Sequence, residues 1–266
     1  MRIGISSASF FNKEVTENSF SLMKKLGFDL AEIFLTTFSE YEKDFVDELG
    51  RRRAENGVEV WSVHSLNQQY EPELYNVNPR TYADAECFYR KLCYAAQVLG
   101  ARYYTFHGPA LLKRTPYKFD FLHLGERSRK LCAIIGEYGA ELAYENVHWT
   151  YFSTPEFFDK LKGCAPGLKA CLDIKQAMQS KISYVEYLRV MSDRLVNVHL
   201  CDYYDDGRLC VPGRGVFDFC GLFKRLADVG YDGALLMELY SKDYNDYGEI
   251  ERGLEHLKEC LIKSRI

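Results

Sequence analysis

The sequence lacks several patterns that would restrict its class. Its nine cysteines are odd in number, scattered and never spaced as Cys-x-x-Cys, so neither a disulfide framework nor a zinc ribbon is indicated. No stretch approaches the roughly 18 uninterrupted apolar residues of a membrane span, and no basic and apolar leader pattern opens the chain. We therefore expect a cytoplasmic protein with reduced thiols and no contact with a membrane.

An excess of basic residues is also absent. There are 34 Lys and Arg against 38 Asp and Glu, so the net charge is −4 and the isoelectric point is about 5.9. Proteins that bind nucleic acid usually present a basic face to the phosphates. The basic runs, such as Arg51-Arg52-Arg53, are typical of solvated helix faces. We therefore expect no nucleic-acid partner.

What the sequence does have is a repeated order of helix, glycine and short apolar strand. The glycines in question are Gly27, Gly57, Gly100, Gly139 and Gly230. Glycine is favoured just past a helix because it adopts the left-handed conformation without strain. The apolar runs that follow are nearly continuous, which is typical of a parallel sheet buried on both faces.

This pattern predicts eight strands, each followed by a helix. The strands are expected near 3–6, 30–34, 60–64, 103–107, 142–145, 168–173, 195–200 and 234–238, and the helices near 17–26, 39–55, 79–99, 120–138, 154–162, 180–192, 218–229 and 246–263. Eight such units predict a single (β/α)8 TIM-barrel domain spanning residues 1–266. An open doubly wound sheet is the alternative, but no Gly-x-Gly-x-x-Gly fingerprint follows the first strand.

Six successive strands end in an acidic residue or a histidine. These residues are His64, His107, Glu145, Asp173, His199 and Glu238. In a TIM barrel the carboxyl ends of the strands form the mouth where active sites lie, so we expect these side chains in one cavity. Taken singly, such a histidine is more often structural, and such an aspartate often caps a helix. Taken together, the carboxylates would repel each other, and we expect no Lys or Arg at the strand ends to neutralise them.

A divalent cation is the natural partner of this set. Two Glu, one Asp and one His provide mostly oxygen donors, with room for water or substrate. Such donors suit Mn²⁺ or Mg²⁺, with Zn²⁺ or Co²⁺ as alternatives, and we favour Mn²⁺.

The motifs at these positions resemble the xylose isomerase-like superfamily of TIM barrels. They are Ser-Val-His at 62–64, Phe-His-Gly at 106–108, Tyr-Glu-Asn at 144–146, Cys-Leu-Asp at 171–173, Asn-Val-His-Leu-Cys-Asp at 197–202, Val-Pro-Gly-Arg-Gly at 211–215 and Met-Glu-Leu at 237–239. That group includes sugar and sugar-phosphate isomerases, ketose 3-epimerases, inosose dehydratase-like proteins and the endonuclease IV type of DNA repair enzyme. The resemblance covers essentially the whole chain.

In the ketose-epimerase branch, the resemblance implies one divalent metal ion held by four residues. The ligands are Glu145, Asp173, His199 and Glu238. It also makes Glu145 and Glu238 the catalytic acid/base pair, one removing a proton next to a carbonyl and the other returning it. The metal would stabilise the enediolate between the two steps. A sugar or sugar-phosphate isomerase or epimerase is the leading hypothesis, with a small sugar or polyol as its partner.

Six further residues are expected to contact the substrate. They are His64, His107, Gln176, Asp202, Arg208 and Arg214. The two histidines would bind hydroxyls or support the metal ligands. Many relatives have a histidine where this chain has Gln176, so the sequence favours chemistry with a single metal ion. The last three follow the seventh strand, where TIM barrels often bind phosphate.

Three other functions are weighed beside the leading one. An inosose-type dehydratase would use the same metal and then expel a β-hydroxyl. An endonuclease IV-like enzyme needs three metal ions, and both Gln176 and the lack of a histidine in Asp218-Phe219-Cys220 weigh against it. A non-catalytic binding barrel would hold the metal without turnover. Barrels of this type often pair, so we also expect a homodimer.

Overall fold

The sheet is a closed barrel of eight parallel strands, which confirms the predicted fold class. The computed structural model describes residues 1–66, 70–111 and 118–264. The barrel strands are β1 (Arg2–Ser6), β2 (Leu30–Leu35), β3 (Glu59–Ser65), β4 (Tyr103–Phe106), β5 (Glu141–Glu145), β6 (Lys169–Asp173), β7 (Leu195–Leu200) and β10 (Ala234–Met237). Two short strands, β8 (Asp202–Tyr203) and β9 (Leu209–Cys210), form an antiparallel hairpin after β7. All eight barrel strands lie where the sequence predicts them, and the domain bounds of 1–266 stay a prediction.

Nine α-helices surround the barrel in the described ranges. They are α1 (Ser19–Lys25), α2 (Lys43–Asn56), α3 (Pro79–Leu99), α4 (Phe121–Gly136), α5 (Pro155–Cys164), α6 (Ile174–Gln179), α7 (Tyr184–Met191), α8 (Phe219–Asp228) and α9 (Tyr247–Lys263). The helix that the sequence does not predict is α6. It begins directly after β6 because the Asp173 carboxylate accepts the backbone N–H of Gln176 at 2.9 Å and so caps the first turn. No described helix is both long and apolar enough to cross a membrane.

The predicted helix-ending glycines take the expected conformation. Gly57 caps α2 with φ 61°, and Gly100 caps α3 with φ 64°. At these angles any side chain would strain the backbone. The chain then enters β3 and β4 immediately, so the two glycines fix where these strands begin.

Two shifts in strand register lie inside the barrel. One falls between Ala31 and Glu32, where β2 pairs with β3, and the other between Ala170 and Cys171, where β6 pairs with β7. Such irregularities redirect side chains and often lie beside functional sites. Glu32 is fully buried, and so is Asn197, the residue of β7 that pairs with Cys171.

Candidate active site

The mouth of the barrel opens into a cavity of about 350 Å³. This size suits a small organic molecule. The polar lining consists of His64, His107, Glu145, Lys175, Gln176 and Glu238, and the apolar lining of Ala8, Phe11, Phe34, Leu66, Trp149, Leu239 and Tyr240. Three of the predicted substrate contacts, His64, His107 and Gln176, are thus in this lining together with two residues of the predicted metal set, Glu145 and Glu238.

The four residues of the predicted metal set converge at one side of the mouth. Glu145, Asp173 and His199 come from β5, β6 and β7, and Glu238 directly follows β10. These four strands are neighbours in the barrel. Each residue offers a ligand atom within 4.8 Å of the other three, and all four side chains are buried. Nδ1 of His199 lies 3.1 Å from Oε1 of Glu145 and 3.6 Å from Oε2 of Glu238.

Among the described residues, two carboxylate oxygens of this cluster make no hydrogen bond. They are Oε2 of Glu145 and Oδ2 of Asp173, and both atoms are buried. A buried oxygen without a partner is costly, and a bound cation would satisfy both. Burial, aided by the charges of Glu145 and Glu238, raises the pKa of Asp173 well above its usual range. The side chains therefore fit a hard divalent ion with mostly oxygen ligands.

The prediction that no cation lies at the strand ends is wrong, because Lys175 of α6 lies there. Its Nζ is 2.7 Å from Oε2 of Glu238 and 3.5 Å from Oδ2 of Asp173, and the side chain is buried. Burial opposes its charge, but the two carboxylates hold the pKa of Lys175 well above its usual range. The sequence prediction missed Lys175 because this residue belongs to α6, a helix that was not predicted. The three carboxylates of the metal set still outnumber the one ammonium beside them.

A second residue that the sequence prediction misses is Glu32, which lies inside the barrel beneath the cluster. Its Oε2 accepts hydrogen bonds from the hydroxyls of Ser62 at 2.7 Å and Thr105 at 2.6 Å. Its Oε1 lies 3.2 Å from Nε2 of His199. Burial opposes ionisation, but His199, His64 and the hydroxyl of Thr105 outweigh it and lower the pKa of Glu32. The available signal was an acidic residue in the middle of the apolar run of β2.

The two predicted histidines of the mouth present Nε2 to the cluster. Nδ1 of His64 lies 2.7 Å from the carbonyl oxygen of Thr105, and Nδ1 of His107 lies 3.2 Å from Oε2 of Glu71. In the neutral rings these nitrogens donate, so each Nε2 keeps its lone pair. The Nε2 atoms lie 3.8 Å and 3.5 Å from Oε2 of Glu145. Burial lowers the pKa of His64, so its Nε2 can accept a hydrogen bond from a hydroxyl group in the cavity. Burial also opposes a charge on His107, but Glu71 raises its pKa, and in the protonated ring Nε2 donates instead.

Glu71 is a third residue that the prediction misses, and it fixes the backbone beside His107. It is fully buried, and its Oε2 accepts the N–H groups of His107 at 3.0 Å and Gly108 at 3.2 Å. Gly108 has φ 76°, and a Cβ there would lie 1.8 Å from the hydroxyl of Tyr144. Only glycine therefore fits at this position of the Phe-His-Gly motif.

Gln176 lines the cavity, as the sequence predicts, but its oxygen is already engaged. Oε1 accepts a hydrogen bond from Nδ1 of His148 at 2.7 Å and another from the backbone N–H of His148 at 3.3 Å. The amide nitrogen of Gln176 is the group that remains for a substrate oxygen.

The other three predicted substrate contacts are not in the described lining of the cavity. Asp202 is buried, and its two oxygens accept four backbone N–H groups, those of Tyr203, Gly213, Gly215 and Phe217. It therefore organises the loop after the hairpin. Arg208 is exposed and pairs with Asp206 at 2.7 Å, and Arg214 pairs with Glu249 at 2.7 Å. Their position after the seventh strand did not bring these three side chains into the described lining of the cavity.

These features define a barrel with an acidic, histidine-containing mouth, and the chain belongs to the xylose isomerase-like TIM barrel family. The model of that family matches residues 20–260. An inosose dehydratase of Bacillus licheniformis is 29% identical over 179 residues, which are 58% of this chain. The match spans 60% of the length of that curated relative.

Three solved structures share the fold at low sequence identity. D-psicose 3-epimerase of Clostridium cellulolyticum H10, solved with D-tagatose, has a TM-score of 0.80 at 20% identity, covering 98% of this chain and 99% of that chain. L-ribulose 3-epimerase has a TM-score of 0.82 at 17% identity, covering 99% and 95%. The IolI protein with a bound zinc atom has a TM-score of 0.76 at 15% identity, covering 99% and 98%.

Proposed function

We propose that this protein is a divalent-metal-dependent isomerase or epimerase of a small sugar or polyol. The observation that carries the proposal is the convergence of Glu145, Asp173, His199 and Glu238 around two buried carboxylate oxygens that make no hydrogen bond within the described residues. These four side chains would hold the ion. When bound, it would supply Lewis-acid stabilisation for negative charge that develops on substrate oxygens.

Glu145 and Glu238 are suited to move the proton. They lie at the two ends of the arc formed by β5, β6, β7 and β10. Glu145 has two carboxylate oxygens, so one can contact the ion while the other accepts a proton from the carbon beside a carbonyl. Lys175 holds Oε2 of Glu238, while Oε1 lies 4.0 Å from Nε2 of His64. Through Oε1, Glu238 can return the proton to the opposite face or to the neighbouring carbon.

The remaining polar groups of the lining would orient the sugar. Nε2 of His64 can accept a hydrogen bond from a hydroxyl group, whereas Nε2 of His107 in its protonated form and the amide nitrogen of Gln176 can each donate one to a substrate oxygen. Trp149 and Tyr240 line the same cavity and offer apolar ring surface for the carbon skeleton.

The first test is the metal content of the purified protein, measured by elemental analysis beside a Glu238→Ala variant. One divalent ion per chain, lost in the variant, is the expected result. Two or three ions per chain would favour the endonuclease type of site instead. No ion after addition of Mn²⁺ would refute the metal-dependent mechanism.

The second test is turnover in a screen of ketoses and their phosphates. Glu145→Gln and Glu238→Gln should each lower kcat by about 10²–10⁴-fold, because each removes a proton-transfer group. Circular dichroism should show both variants folded. An active variant would refute the role of that residue, and a metal-loaded protein without any turnover would favour a non-catalytic binding barrel.

A dehydratase of a keto-polyol is a second candidate, supported by the inosose dehydratase that is 29% identical. It would begin with the same proton removal and then eliminate a β-hydroxyl. An unsaturated ketone absorbs in the near ultraviolet, whereas epimerisation produces no new chromophore. New absorbance on incubation with an inosose would therefore favour the dehydratase.

A further inference from the structure

Glu32 contacts the candidate metal set from below and takes no part in the lining of the cavity. We infer that Glu32 is a positioning residue, which holds His199 in the orientation that presents Nδ1 to the metal. This inference rests on the proposed metal centre and deepens it. Nδ1 of His199 would bind the metal, and Glu32 would determine that this nitrogen faces it.

Glu32 is surrounded by hydrogen-bond donors from four other strands. Its carboxylate accepts from Ser6 at 3.0 Å, Ser62 at 2.7 Å and Thr105 at 2.6 Å, and from the amide nitrogen of Asn197 at 3.3 Å. A carboxylate whose oxygens already accept from four donors acts as an acceptor toward His199 as well. The hydrogen bond that it shares with His199 must therefore come from the imidazole, so Nε2 of His199 carries a proton.

Nδ1, the other nitrogen of the same imidazole, faces the three carboxylates of the metal set. Nδ1 of His199 lies 3.1 Å from Glu145, 3.6 Å from Glu238 and 3.9 Å from Asp173. A proton on Nδ1 would be displaced when a metal binds, whereas Glu32 retains the proton on Nε2. A carboxylate that accepts from the outer nitrogen of a histidine ligand fixes the ring and strengthens its bond to the metal.

The backbone of the barrel is adapted to this network. The register shift of β2 falls at Glu32, and that of β6 against β7 falls beside Asn197. Both side chains thus reach the centre of the barrel, where apolar side chains would pack without the cost of burying a charge. A purely structural role gives no reason for a carboxylate directly beneath His199.

The test is calorimetric titration of Mn²⁺ and of Zn²⁺ into metal-free wild type and Glu32→Gln. The glutamine keeps the shape of the side chain and removes its charge, so the Kd for each metal should rise about 10–100-fold. Glu40→Gln is the matched control. Glu40 is also a buried glutamate, and it accepts from Thr16 at 2.8 Å and from the backbone of Thr37 at 3.1 Å, away from any histidine.

A second readout is the nitrogen spectrum of the imidazoles in the zinc-loaded protein, with Glu32→Gln and His199→Gln as references. The expected spectrum shows the His199 ring protonated on Nε2 and bound to zinc through Nδ1. Zinc on Nε2, an unchanged Kd in Glu32→Gln, or an equal loss of affinity in Glu40→Gln would overturn the inference while the proposed function stands. A wild-type protein that binds neither ion would overturn both.

Discussion

The buried ammonium of Lys175 controls the charge of the mouth. Lys175→Met should lower the free energy of unfolding of the metal-free protein by about 3–5 kcal/mol, because Glu238 and Asp173 lose their partner in a buried site. Mn²⁺ should stabilise the variant more than the wild type, since the Lys175 ammonium then no longer competes with the metal for these carboxylates. Thermal unfolding with and without Mn²⁺ measures both effects.

Lys24→Met is the control for that experiment. Lys24 forms an ion pair with Asp29 on the surface, where both side chains are about half exposed or more. Solvent screens such pairs, so stability should change little. An equal response to Mn²⁺ in Lys175→Met and the wild type would contradict the assigned role.

At the scale of residues, the sequence allows prediction of those polar site residues that come directly at the end of an apolar run. Glu145, Asp173 and His199 could be picked out because a strand pattern leads directly to each of them. Glu32 and Lys175 could not, because their roles depend on which strands and helices meet when the barrel closes. A lysine two residues after a strand carries no sign of where its side chain points until α6 is known.

At the scale of elements, the loop after β4 depends on a single glycine. Gly108→Ala should lower the free energy of unfolding by about 2 kcal/mol or more, because a Cβ would collide with Tyr144 and strain a backbone at φ 76°. The shifted loop should also weaken binding of the substrate through His107. Urea unfolding measures the stability, and KM reports on the loop.

A suitable control is Gly136→Ala at the end of α4, where an added Cβ meets no described atom within 4 Å. There alanine should leave stability unchanged or raise it slightly, since it favours the helix. A neutral Gly108→Ala would show that the loop can move without cost.

The barrel elements were predictable because parallel strands buried on both faces leave long apolar runs and because glycines mark the helix ends. The short hairpin of β8 and β9 and the helix α6 were not. Each contains too few residues to show a period, and each is set by a side chain that binds the backbone. Asp173 caps α6, and the Asp202 carboxylate accepts hydrogen bonds from backbone N–H groups of the loop after the hairpin.

At the scale of the whole molecule, metal binding should be linked to stability. At a Mn²⁺ concentration about 100 times the Kd, binding adds about 2.7 kcal/mol to the free energy of unfolding. For a chain of this length that corresponds to a rise in Tm of about 5–10 °C. Differential scanning fluorimetry with Mn²⁺ and then with a chelator measures the shift.

Asp173→Asn should remove that response, because it takes away a ligand whose oxygen makes no other described hydrogen bond. A shift that persists in this variant would place the ion elsewhere on the protein. The expected homodimer is also a property of the whole molecule, and it stays a prediction that light scattering tests.

The proposed metal ligands lie on one arc of the mouth, from β5 to β10, whereas the described lining residues that follow β1 and β3 are the apolar Ala8, Phe11 and Leu66. Part of the shape of the cavity is thus encoded in segments that do not carry the acidic set. Substitutions in those segments can alter which molecule fits while the acidic set is preserved. Because these segments are separate, the specificity of such a barrel can change in evolution while its chemistry stays the same.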